Sequence, residues 1–159
     1  MPSFKLILND ALEYDFSLIA IHGSLQDYRI AYFLNKYLGI QLQRRSKDVD
    51  FKKEGHEALF SLFTFEDSKN YRSYTLVGNR CRVGHPSLED KASLFTRQES
   101  FKLITLIPEL KKTDFFLKLE SDTPTPKSML AKINQIPQVV TAYAVDVNKL
   151  KSKRNLIFE

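Results

Sequence analysis

A chain of 159 residues suffices for one domain with a core of its own, and 43% apolar with 27% charged residues excludes a wholly disordered, collagen-like or simple-repeat chain. The 24 basic side chains outnumber the 19 acidic ones to give +5, which permits contact with polyanions without the excess of a dedicated nucleic-acid binder. Cys81 is the only cysteine, so an internal disulfide is excluded and a reducing, cytoplasmic compartment is expected.

The longest apolar run, Phe16 to Ile21, is interrupted by Ser17 and falls far short of the roughly 20 residues of a bilayer span. Neither a membrane crossing nor a secretory signal is expected. That same run, bounded by His22-Gly23, predicts a strand buried on both faces. Ser24 is placed as an N-cap with Asp27 three positions on. Ile30, Ala31, Leu34, Tyr37 and Leu38 then keep helical spacing, and Gly39 supplies the stop, which predicts a helix over 24–38. Ile40 to Gln43 alternates and completes a strand-helix-strand unit. Alternation over 58–65 and 71–77 around the polar stretch 66–70 predicts a hairpin. Gly78-Asn79 reads as a second tight turn into a strand at 80–83, making a three-stranded meander. Residues 84–100 lose the pattern apart from a turn of helix around Leu88 to Leu94, and read as a long surface connection.

Phe101 to Leu106 predicts a strand closed by Ile107-Pro108. In the strand that follows, Phe115, Leu117 and Leu119 point to a core while Asp114, Phe116, Lys118 and Glu120 point to a wetter face. Thr125 is placed as an N-cap before a first-turn Pro126 in a short helix carrying Met129, Leu130 and Ile133, Pro137 ends it, and Val139 to Val147 is a last strand. A shift of 99 residues sets Asp15, Phe16, Leu18 and Asn35 on Asp114, Phe115, Leu117 and Asn134. The predicted fold is a single α+β domain over 1–159. In it, two strand-helix-strand units flank an antiparallel β-meander, and the helices pack on a mostly antiparallel sheet.

Residues 107–115, Ile-Pro-Glu-Leu-Lys-Lys-Thr-Asp-Phe, resemble the signature of the bacterial IPExxxVDY family. Ile107, Pro108, Glu109 and Asp114 match, while Thr113 stands in place of the signature's Val and Phe115 in place of its Tyr. The likeness extends through Asp27-Tyr28-Arg29, Leu59 to Phe63, Ile136-Pro137-Gln138, Thr141-Ala142-Tyr143 and the tail. That family is named for its motif rather than for an activity, so the resemblance carries over no catalytic residue; no cofactor is expected. A role for the Tyr hydroxyl would be missing at Phe115.

Candidate sites follow from residue chemistry. In the signature, Glu109 and Asp114 either serve turn and capping chemistry or converge on a partner's basic group. His22, Gly23, Ser24 and Arg29 gather where a buried strand opens into a helix, a place suited to an anion such as phosphate or carboxylate. Cys81 and His85 have too little company for zinc or for nucleophilic chemistry. Arg44, Arg45 and Lys47, and again Lys151, Lys153 and Arg154, are basic clusters that either solvate a loop and a tail or contact RNA phosphates. The tail over 149–159 carries the apolar Leu156, Ile157 and Phe158, which must bury on their own core or on a second copy in a homodimer. No nucleotide loop, metal cluster or nucleophile context is present in the sequence. The functional expectation is therefore a non-enzymatic binding or scaffold module working through protein–protein contacts. RNA binding by the basic clusters, and a small enzyme or anion site near His22–Ser24, are the alternatives.

Overall fold

The computed structural model describes residues 16–84, 101–122 and 125–158, which form ten strands and two helices. With strands numbered in chain order, one antiparallel sheet runs β10 (Thr141–Val145), β1 (Ser17–His22), β9 (Phe115–Ser121), β6 (Arg72–Gly78), β5 (Leu62–Asp67) and β2 (Gln43–Arg44). Two separate ribbons complete the strands. They are β3 (Val49–Lys53) with β4 (His56–Phe60), and β7 (Arg80–Gly84) with β8 (Phe101–Thr105). The mixed fold is thus α+β with mostly antiparallel sheets, and strands outweigh helices.

The period-two alternation of the central strands sends their side chains to two cores. Ile19, Ile21, Leu76, Leu117 and Leu119 meet helices α1 (Asp27–Leu38) and α2 (Lys127–Asn134) through Ile30, Ala31, Leu34, Met129 and Ile133. On the opposite face Leu18, Ala20, Val77 and Phe116 meet Ala58, Phe60 and Ile104 of the ribbons, together with Leu150 and Leu156 near the C-terminus. The central sheet is therefore the middle of three layers.

Several expectations are corrected by what each segment packs against. Helix α1 starts at Asp27 with Gln26 as its N-cap, so Ser24 is an exposed residue of the preceding loop; Gly39 does close the helix, at φ 66°. The strand expected over 40–43 reduces to Gln43–Arg44 at the sheet edge. The continuous strand expected over 58–65 breaks at Ser61, because its first half joins a ribbon and its second half the main sheet. Within the basic stretch 44–53 lies strand β3, whose hairpin turns on Glu54 and Gly55, both at positive φ. Gly78-Asn79 is not a hairpin turn, since β6 pairs with β5 and β9 while β7 pairs with β8; the three-stranded meander is not formed. Asn79 is wholly buried at the crossing between layers.

The wetter face expected on β9 is also overturned, because Phe116 and Lys118 are buried beneath the C-terminal segment. Pro126, not Thr125, caps α2. The last strand is Thr141–Val145, and a 3-10 turn at Val147–Lys149 follows it. The expected connection over 84–100, with its turn at Leu88 to Leu94, lies outside the described residues apart from Gly84. No described helix is long and apolar enough to cross a membrane.

Candidate functional site

The C-terminal end of β1 is where the sequence places an anion, and there the chain supplies its own. The Gly23 N–H donates to Asp114 Oδ2 at 2.8 Å, and the Asp114 N–H returns a bond to the Ile21 carbonyl at 3.1 Å. Arg80 pairs with the other oxygen of Asp114 at 3.3 Å. Gly23 also owes its identity to packing: a Cβ there would stand 2.9 Å from the Gln138 carbonyl oxygen. His22 Nε2 lies 3.1 Å from the Tyr143 hydroxyl and 3.3 Å from that of Thr113. Arg29 projects from α1 into solvent.

A cleft of about 420 Å³ opens beside this end of the sheet, with Ser24, Asp27, Arg44, Asp48, Arg80 and Asp114 among its walls. Arg44 is paired with Asp48 and Arg80 with Asp114, while Asp27 accepts from the Tyr28 N–H. Three carboxylates therefore face two guanidiniums, and each guanidinium is already paired within the chain. An added anion would meet a site already satisfied, and one carboxylate in excess.

The signature residues hold three layers together. Ile107 is buried, Pro108 opens a 3-10 turn over Pro108–Leu110, and Phe115 packs in the helix-side core. Glu109 turns away from Asp114 toward the C-terminal segment. Its carboxylate accepts from the Ser152 hydroxyl at 2.7 Å and the Ser152 N–H at 3.0 Å. Partial desolvation pushes the Glu109 carboxyl up, but the two Ser152 bonds outweigh it and hold the group below its ordinary value. Glu109 and Asp114 thus bind different parts of the chain and do not converge. Between them sits Asn79, which sequence reasoning assigned to a turn. Its Nδ2 donates to the carbonyls of Leu110 at 2.9 Å and Thr113 at 2.8 Å, and its Oδ1 accepts from the Ile107 N–H at 2.8 Å.

The C-terminal segment is ordered on its own core. Leu156 is fully buried, and Asn155 Nδ2 donates to the Leu106 carbonyl at 2.8 Å. Lys118 Nζ donates to the Leu156 carbonyl at 2.9 Å and pairs with Glu120 at 2.8 Å. The ammonium also lies 4.7 Å from the Phe16 ring centroid and 5.4 Å from that of Phe158, so the buried charge is met from several sides. Of the three apolar tail residues, only Ile157 stays exposed.

The basic clusters are partly brought together. Arg45 and Lys47 line a cleft of about 650 Å³ whose wall includes Ile157 and Phe158, with Asp48 and Asp50 in the same cleft. Lys151, Lys153 and Arg154 do not line it; Lys151 and Arg154 are exposed, and Lys153 and Arg154 have partners of their own. Cys81 faces the ribbon-side core, and His85 lies outside the described residues. Among the described residues no group of three or more His, Cys, Asp or Glu side chains is placed to hold a metal.

The surface that sequence reasoning missed is the outer face of the ribbons. On β7 and β8, Cys81, Val83 and Ile104 turn to the core, which sends Phe101 and Leu103 outward, 54% and 44% exposed, on the face shared with Arg80 and Arg82. Strand β4 packs beside β7, and its Leu59 is also exposed while Ala58 and Phe60 are buried. The signal was available in the alternation of Phe101-Lys102-Leu103-Ile104, but its outer phase is as apolar as its inner one. Against protein-family models, curated proteins and solved structures, the chain has no match.

Proposed function

We propose that this chain is a non-enzymatic, cytoplasmic binding module of the IPExxxVDY type that works through protein–protein contacts. The observation that carries the reading is the outer ribbon face, where Phe101 and Leu103 stand exposed in register with Gly84 and Arg82. Apolar side chains flanked by arginines suit a partner segment that alternates apolar and acidic residues, since aromatic and arginine side chains dominate contact energies at such surfaces. Glu109 and Asp114 tie distant segments, which supports reading the signature stretch as a folding device rather than a reaction centre. A repeated strand-helix-strand plan is part of the same proposal, supported by the matching side-chain bonds of Asn35 and Asn134.

RNA binding is the second reading, favoured by Arg45 and Lys47 at the larger cleft; Asp48 and Asp50 in that cleft weaken the field on a phosphate. Affinity purification of the tagged protein from its native host, with and without nuclease, tests the two. A nuclease-insensitive protein partner that is lost with Phe101→Ser and Leu103→Ser supports the protein reading. Recovered RNA whose yield falls steeply with salt replaces it with the second.

A further inference from the structure

Both edges of the six-stranded sheet are finished by the same side chain in the same way. Asn35 of α1 accepts from the Leu42 N–H at 2.7 Å and donates to the Leu42 carbonyl at 3.2 Å. Asn134, the last residue of α2, accepts from the Ala142 N–H at 2.8 Å and donates to the Ala142 carbonyl at 2.9 Å, with a further bond to the Leu130 carbonyl at 3.1 Å. Strands β2 and β10 are the two ends of the sheet.

Register shows which way these backbone groups face. Ala142 stands opposite Ile21, yet both of its peptide groups go to Asn134, so it presents them away from β1. On the other edge the Arg45 N–H donates to the Leu62 carbonyl at 2.8 Å, so by alternation Gln43 faces β5 while Leu42 and Arg44 face outward. Each asparagine amide therefore occupies the place where the peptide of a seventh strand would pair.

An open edge is a template for another strand, and proteins blunt it with charge, proline, bulges or shortness. Strand β2 has two residues and arginines at 44 and 45. Strand β10 is five residues long, Thr-Ala-Tyr-Ala-Val, with neither charge nor proline, and Val140 beside it is 81% exposed. Its only block among the described residues is Asn134.

We infer that Asn134 and Asn35 are edge guards: they close the main sheet to strand addition, and the occupant that they exclude at β10 is the same strand of a second copy. An uncharged strand of this kind is compatible with its own antiparallel two-fold mate. The inference does not depend on the outer ribbon face, and it leaves that face rather than a sheet edge as the route to a partner.

Two measurements test it. In the unaltered chain, amide hydrogen exchange of Ala142 and Leu42 is expected to be slower than that of Ala144 and Arg44 by roughly fivefold or more. Analytical ultracentrifugation over a concentration series is expected to show Asn134→Ala forming a larger species than the unaltered chain. A second change, Ala144→Lys, which brings like charges near one another across such a pair, is expected to reverse it. Should Asn134→Ala fail to fold, Asn134→Ser, which is uncharged and too short to hold both peptide groups of Ala142, takes its place with the same two outcomes. Equal exchange rates, or a folded variant with the same mass as the unaltered chain at every concentration, would overturn the guard.

Discussion

Asn79→Ala is the substitution whose cost the structure specifies most closely. It removes both donors and the acceptor of a wholly buried side chain, orphaning the Ile107 N–H and the Thr113 carbonyl and leaving the Leu110 carbonyl only the bond from the Thr113 N–H. An unsatisfied buried group costs about 1–3 kcal/mol, and carbonyls with a second lone pair fall toward the low end. The two orphaned groups together come to about 2–4 kcal/mol, a large part of the roughly 5–15 kcal/mol that stabilises an ordinary domain. Asn79→Asp keeps the acceptor for Ile107 but aims a carboxylate at two carbonyls. It is expected to be at least as damaging at neutral pH, with part of the loss recovered on acidification once the carboxyl is protonated and can donate. The chain has no tryptophan, so urea unfolding is followed by far-UV circular dichroism. The expected result is a midpoint lowered by about 1 M or more at unchanged slope. A midpoint within error of the parent would show that the layers are not joined through this residue.

Leu156→Ala opens a cavity at a fully buried position and is expected to cost about 2–4 kcal/mol, measured by the same unfolding experiment. Removing residues 155–159 is expected to cost more, because it also strips the Lys118 ammonium of its carbonyl partner; an unchanged unfolding temperature would sink the anchoring role. Gly23→Ala drives a Cβ to 2.9 Å from the Gln138 carbonyl oxygen and is expected to destabilise by about 1–3 kcal/mol, a result that a neutral substitution would contradict. The Glu109 carboxyl is held below its ordinary value of 4.5, so its contribution to stability is complete above that pH and is lost as pH falls through the lowered value. The stability gap between the parent and Glu109→Gln should therefore narrow on acidification, and a gap that stays constant from neutral pH to pH 3 would remove the Ser152 tie.

What the sequence made legible was local. The run before His22-Gly23 did form a strand, the 3.6-residue spacing did form α1, Gly39 did end it, and Pro108 did follow the end of β8. Pairing partners were not legible, because Gly78-Asn79 carries the residue types of a tight turn while its geometry is set by a buried asparagine that binds a segment about 30 residues away. Lys118 misled for a related reason: its charge signals solvent, yet a distant carbonyl and two aromatic rings make its burial tolerable. At the candidate site, the residue types near Gly23 suggested an anion, and only the fold could reveal that Asp114 already accepts the Gly23 N–H. The 99-residue offset marked Asn35 and Asn134 as equivalent, but which strands they edge depends on strands inserted between β9 and β2.

The central claim is that the outer ribbon face meets a protein partner, and a photo-crosslinking amino acid placed at Leu103 in the native host tests it most directly. A second copy of the probe at Tyr71, which is more accessible than Leu103 and lies in the turn before β6, serves as the control. The binding reading predicts a discrete covalent protein adduct at 103, absent at 71 and lost when Arg82→Glu is introduced. Adducts of equal yield at both positions, or none at 103, would contradict it.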